Sequence, residues 1–179
     1  MRMHFDFFAI FCIILILTVT FSGCTNSNLS LYNNRDDEQL YNLFMSYNNQ
    51  TIGNLPNLTD SLEKENFFDM EVYSQEGLEE SNEMIIEVQN TNPSAEWSPL
   101  KNEFLIDLNY MTNFYSNFEY AAKEFQKGNK ESGFLYLDKA MEEWKFAAMH
   151  YNASFELIED ILHKKEILLE SKKRELGIS

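Results

Sequence analysis

Two stretches of this chain repeat apolar residues at alternating steps of three and four, and that spacing constrains the fold more than any other feature. The first carries Trp97, then Phe104, Leu108, Met111, Tyr115, Phe118, Ala122 and Phe125. The second carries Leu137, Met141, Trp144, Ala148, Tyr151, Phe155, Ile158, Leu162 and Leu169, with Lys165 filling one slot. Such a stripe keeps one side of a helix against a neighbour that crosses it at a shallow angle. Gly128-Asn129 lies between the two stretches, and glycine just past a helix end supplies the left-handed residue that stops it. The pair therefore reads as an antiparallel helical hairpin. Its arms of about 30 and 42 residues would be roughly 45 and 63 Å long. The second arm should overhang its partners at a basic end past Lys164.

Upstream, Asp36, Asp37 and Glu38 load the first turn of a short helix over about Asp36 to Tyr47, with Leu40, Leu43, Phe44 and Tyr47 as its stripe. Asn48, Asn49, Gly53 and Pro56 then mark a loop. Asp60 and Glu63 have the spacing of a capping box. They open a second helix through Phe67, Met70, Ser74, Leu78, Ser81, Ile85 and Val88 to Asn90, with Gly77 as a possible break. No strand alternation competes. The expected fold is all-α, an up-down bundle of one short and three long helices spanning 35–179.

The N-terminal 24 residues have a different character. Arg2 precedes an apolar run from Phe7 to Val19, and Ser22-Gly23 stands directly before Cys24. This is the layout of a secretory signal. The apolar run to Phe21 is 15 residues long, and a membrane span needs about 20. The Ser22-Gly23-Cys24 ending resembles the lipobox of prokaryotic lipoproteins, although Phe21 stands where that family usually has leucine. The resemblance implies cleavage between Gly23 and Cys24, a diacylglycerol on the Cys24 thiol, and a protein held by lipid outside the cytoplasmic membrane. An ordinary signal peptidase cut after Ser22 or Gly23 is the competing reading. Residues 1–23 are then the signal, and 24–34, rich in Asn and Ser, a flexible tether. Of the two cysteines, Cys12 leaves with the signal and Cys24 carries lipid, so no disulfide framework is expected.

The formal net charge is −15. Between Asp60 and Leu100 there are eleven acids and one base, Lys64, which disfavours nucleic acid as a partner. Lys164, Lys165, Lys172, Lys173 and Arg174 cluster near the C-terminus, where cations complement the helix dipole. No phosphate loop, nucleophile elbow or metalloprotease motif is present. Asp160 and His163 are one helical turn apart and supply at most half of a bundle-type carboxylate metal site. His150 and His163 are thirteen residues apart, roughly 20 Å along one helix, too far to share a metal. Neither a metal nor a cofactor is expected. Two functions fit. The first is a non-enzymatic surface or envelope protein that binds a protein partner through acidic or apolar helix faces. The second is a small-molecule or sensory bundle with an aromatic pocket of Tyr115, Phe118, Trp144, Tyr151 and Phe155. Oligomeric state is left open.

Overall fold

A computed structural model describes residues 32–176, apart from the side chains of residues 48–53, 173 and 176. The expected signal, the Cys24 lipid site and the tether as far as residue 31 lie outside the described residues. Within them the chain forms four helices and no strand: α1 (Arg35–Glu63), α2 (Phe67–Asn90), α3 (Ser98–Gln126) and α4 (Lys130–Leu176). This is the all-α up-down bundle that the spacing predicts. The most extensive packing is between α3 and α4, followed by α2 on α3 and α1 on α2.

The first helix is a correction. It runs for 29 residues with Pro56 inside it, so all four helices are long and the expected loop is helical. Proline in a helix interior costs about 3 kcal/mol. Burial explains why the helix survives, because Leu55, Leu58 and Ser61 continue the core line begun by Leu40, Phe44 and Tyr47. Pro56 sits on the exposed side. The Asp60–Glu63 capping box does not form, and Asp60 instead accepts a 2.7 Å hydrogen bond from Lys64 in the last turn of α1. The helix start is set by Asn34 and Asp37, which form a capping box of their own.

The break comes at Lys64–Asn66. Glu65 adopts φ 53°, its N–H donates to the Leu62 carbonyl, and the Asn66 N–H donates to that of Ser61. This is a Schellman stop carried by a residue other than glycine. The expected turn at Gly128 is the same motif, with φ 80° and bonds from Gly128 to Phe125 and from Asn129 to Glu124.

The fourth helix spans 47 residues, about 70 Å. Its buried line shares Ile158 with the expected stripe and otherwise departs from it. Gly133, Ala140, Ala147, Ser154 and Ile161 are buried at seven-residue intervals. The larger Leu137, Trp144, Tyr151 and Phe155 of the expected stripe are half-buried beside them. Small residues let α3 press close. A β-carbon on Gly133 would stand 2.5 Å from the Phe125 ring. Gly77 does the same for α2: it is buried, does not break the helix, and leaves room for the Tyr115 ring. The core phase of α2 accordingly runs through Gly77 and Met84, with Leu78 and Ile85 half-buried.

Candidate functional site on the outer face of the helical hairpin

Beside the α3–α4 seam a second stripe faces outward. On α3 it holds Glu103, Ile106 and Tyr110, at steps of three and four; on α4 it holds Phe146, Met149, His150 and Ala153. Tyr110 lies between two rings, stacked on Phe146 at 5.3 Å and on His150 at 5.6 Å. His150 Nδ1 is 2.7 Å from Glu103 Oε2, which fixes the imidazole plane. Although the rings touch, the face remains open to water: Met149 is 63% exposed, Phe146 39% and Ile106 38%.

Glu103 also lines a groove of about 500 Å³ with Ala153, Glu156, Leu157, Glu159 and Asp160. Four of these six residues are carboxylates and none is basic. The groove and the aromatic face are therefore one surface, joined through the Glu103–His150 contact. An apolar half adjoins an acidic half, and cations with apolar neighbours would complement both.

The five aromatics expected to line a pocket are placed as follows. Tyr115 and Phe118 are buried, and both pack on Phe114, at 5.1 and 4.8 Å. Trp144 meets the same ring at 5.4 Å, so Phe114, which the seam spacing skips, joins three of the five. Tyr151 belongs to another cluster, stacked on Phe44 at 5.3 Å, with Phe44 against Phe104. Phe155 is half-buried and packed against the core. None of the five lines the groove. Asp160 does line it, while His163, one turn on, is exposed. Among the described residues no three His, Cys, Asp or Glu side chains come together as a metal site.

Among the described residues three side-chain polar atoms are buried without a partner: Asp107 Oδ2, Ser154 Oγ and Trp97 Nε1. Asp107 sits on the buried line of α3, and burial holds its carboxyl well above the usual carboxylate range. Tyr151 is pushed up to about 12, first by burial and then by the nearby Asp107.

The outer face was legible in principle. Its residues repeat at helical spacing one or two positions off each seam, which marks a second stripe rather than the core. No protein-family model matches the chain, and neither curated proteins nor solved structures give a match.

Proposed function

We propose that this chain is a lipid-anchored protein outside the cytoplasmic membrane that holds a protein partner on the outer α3–α4 face and catalyses no reaction. The observation that carries the partner-binding reading is the continuity of that face. Ile106, Phe146 and Met149, with the half-buried Tyr110 among them, expose apolar surface directly beside the groove of Glu103, Glu156, Glu159 and Asp160. Exposed aromatic and methionine side chains favour protein contact, and exposed apolar patches commonly mark interaction sites. The fitting partner segment presents apolar side chains flanked by lysine or arginine. The anchor rests on Ser22-Gly23-Cys24 after an apolar run too short to span.

Site-specific photo-cross-linking in intact cells tests the face. A photoreactive residue at Met149 should give a discrete protein adduct. The same residue at Glu87, an exposed position on α2, should give none. Equal adduct patterns at the two sites, or no adduct at Met149, would reject the outer face as a binding surface.

A further inference from the structure

The last turns of α4 reach past every other helix at the end of the bundle from which the N-terminal segment departs. Lys165 marks the place. Its Nζ donates to Asn33 Oδ1 at 2.6 Å and lies 2.9 Å from Glu96 Oε2, so the start of α1 and the approach to α3 both stop there. The α4 side chains packed against the core run as far as Leu162. Beyond Lys165, Ile167 and Leu168 are 55% and 51% exposed. From Lys165 to Leu176 the helix advances about 16 Å.

Charge is divided between this tip and the rest of the molecule. Residues 164–179 hold five of the fourteen Lys and Arg and three of the twenty-nine Asp and Glu, and one of the five, Lys165, is already paired with Glu96. The remainder of the chain is left with nine bases and twenty-six acids. Helix-dipole complementarity accounts for cations at a helix C-terminus. It does not account for Ile167-Leu168-Leu169 beside them.

We infer that the α4 tip is a membrane-surface contact: Ile167 and Leu168 enter the interface of anionic lipid while the exposed Lys164, Lys172 and Arg174 meet its headgroups. This rests on the lipid anchor at Cys24 proposed above. Asn33 is nine residues on from Cys24, so the anchored lipid lies within about 32 Å of Asn33. The tip, projecting about 16 Å from the same place, falls inside that reach. An anionic surface attracts juxtamembrane cations within a Debye length and repels the acidic bundle. The two forces together stand the bundle on its α4 tip, with the outer α3–α4 face clear of the lipid.

The test uses the full chain, produced with its own leader and purified in detergent. It is then reconstituted into vesicles of equal parts phosphatidylglycerol and phosphatidylcholine, or of phosphatidylcholine alone. Leu168→Cys carries a polarity-sensitive thiol dye. Lys130→Cys, exposed at the other end of α4, carries it as a control. The dye at 168 should shift to the blue on the anionic vesicles and lose the shift when Lys164→Glu and Lys172→Glu are added. The dye at 130 should not shift. With the anchor in place the wild-type chain has no free thiol and takes no dye. Wild type that labels overturns the anchor, and this inference with it. Unlabelled wild type with an unshifted dye at 168 overturns the inference alone. A shift at 168 that appears without vesicles and grows with protein concentration overturns it too, in favour of pairing between two copies.

Discussion

Asp37 and Asp107 are both acids shut away from water, and their surroundings make them opposites. Asp37 is saturated with donors. Its Oδ2 accepts from the N–H groups of Asn33 and Asn34 and from the Ser94 hydroxyl, and its Oδ1 accepts from the Ser94 N–H at 2.7 Å. One carboxylate thus ties the start of α1 to the link between α2 and α3. Asp107 has an oxygen with no partner at all, and burial makes the folded state hold its proton to higher pH. The unfolded chain releases that proton near pH 3.9, and the folded chain releases it well above. Between those points the folded state holds more protons, so stability falls as pH rises. Each tenfold weakening of the acid costs about 1.4 kcal/mol at a pH above both values. Asp107→Asn should remove this slope, and thermal melts from pH 4 to 8 would show the variant gaining on wild type as pH rises. Parallel curves would mean that Asp107 is solvated. Glu65 offers a second test, because a side chain in the left-handed region costs about 1–2 kcal/mol. Glu65→Gly should therefore raise stability, by about 0.5–1 kcal/mol after the entropy of the unfolded glycine is counted. Gly128→Ala, with open space around it, should lower stability by a similar amount through backbone strain alone. Denaturant titration reads both.

At the scale of the helices, α3 and α4 mesh large against small. Along α4 the small line of Gly133, Ala140, Ala147 and Ser154 keeps a seven-residue period, and Phe104, Met111, Phe118 and Phe125 keep the same period on α3. The Gly133–Phe125 approach sets their register. The larger Leu137, Trp144, Tyr151 and Ile158 alternate with the small line, and Trp144 meets Phe114. Ala147→Leu should push the two helices apart, and overpacking of this kind costs about 1–3 kcal/mol. Ala148→Leu, one position round the helix and half-buried, should cost much less, and denaturant titration of the two variants separates them. The sequence spacing located the hairpin, its turn and most of the core of the third helix, where Phe104, Leu108, Met111, Tyr115, Phe118, Ala122 and Phe125 are buried and the spacing skips Leu100, Phe114 and Ala121. It put the α4 core on the large residues because hydrophobicity, the only signal read there, says nothing of how closely a neighbour approaches. The same blindness treated Gly77 as a weak point when it is a contact. It also ended α1 at Tyr47, because Asn48, Gly53 and Pro56 are local signals and the burial of Leu55 and Leu58 that overrides them is tertiary. The outer face lies outside the strongest apolar repeat, because Tyr110, Phe146 and Met149 fall between the seam positions.

For the whole molecule, the folded part and the proposed anchor divide the work, and this makes the anchor separately testable. Among the described residues no helix is long and apolar enough to cross a membrane. The membrane attachment proposed above rests on the N-terminal 24 residues, where Cys24 provides the only thiol left after the expected cleavage. A single acyl chain binds a membrane only marginally, whereas a diacylglycerol supplies two chains and a stable hold. Replacing one sulfur atom should therefore change processing and leave the bundle untouched. Cys24→Ala should take up no fatty acid in metabolic labelling and should migrate as a precursor still carrying its 23-residue leader. Its bundle should keep the helical circular-dichroism signal and melting temperature of wild type, and neither should respond to reductant in either protein. A Cys24→Ala chain that matures to wild-type size and still incorporates fatty acid would place the lipid elsewhere. One that matures to that size without fatty acid, as wild type also would, points to an ordinary signal peptidase at Ser22 or Gly23 and leaves Cys24 a free thiol.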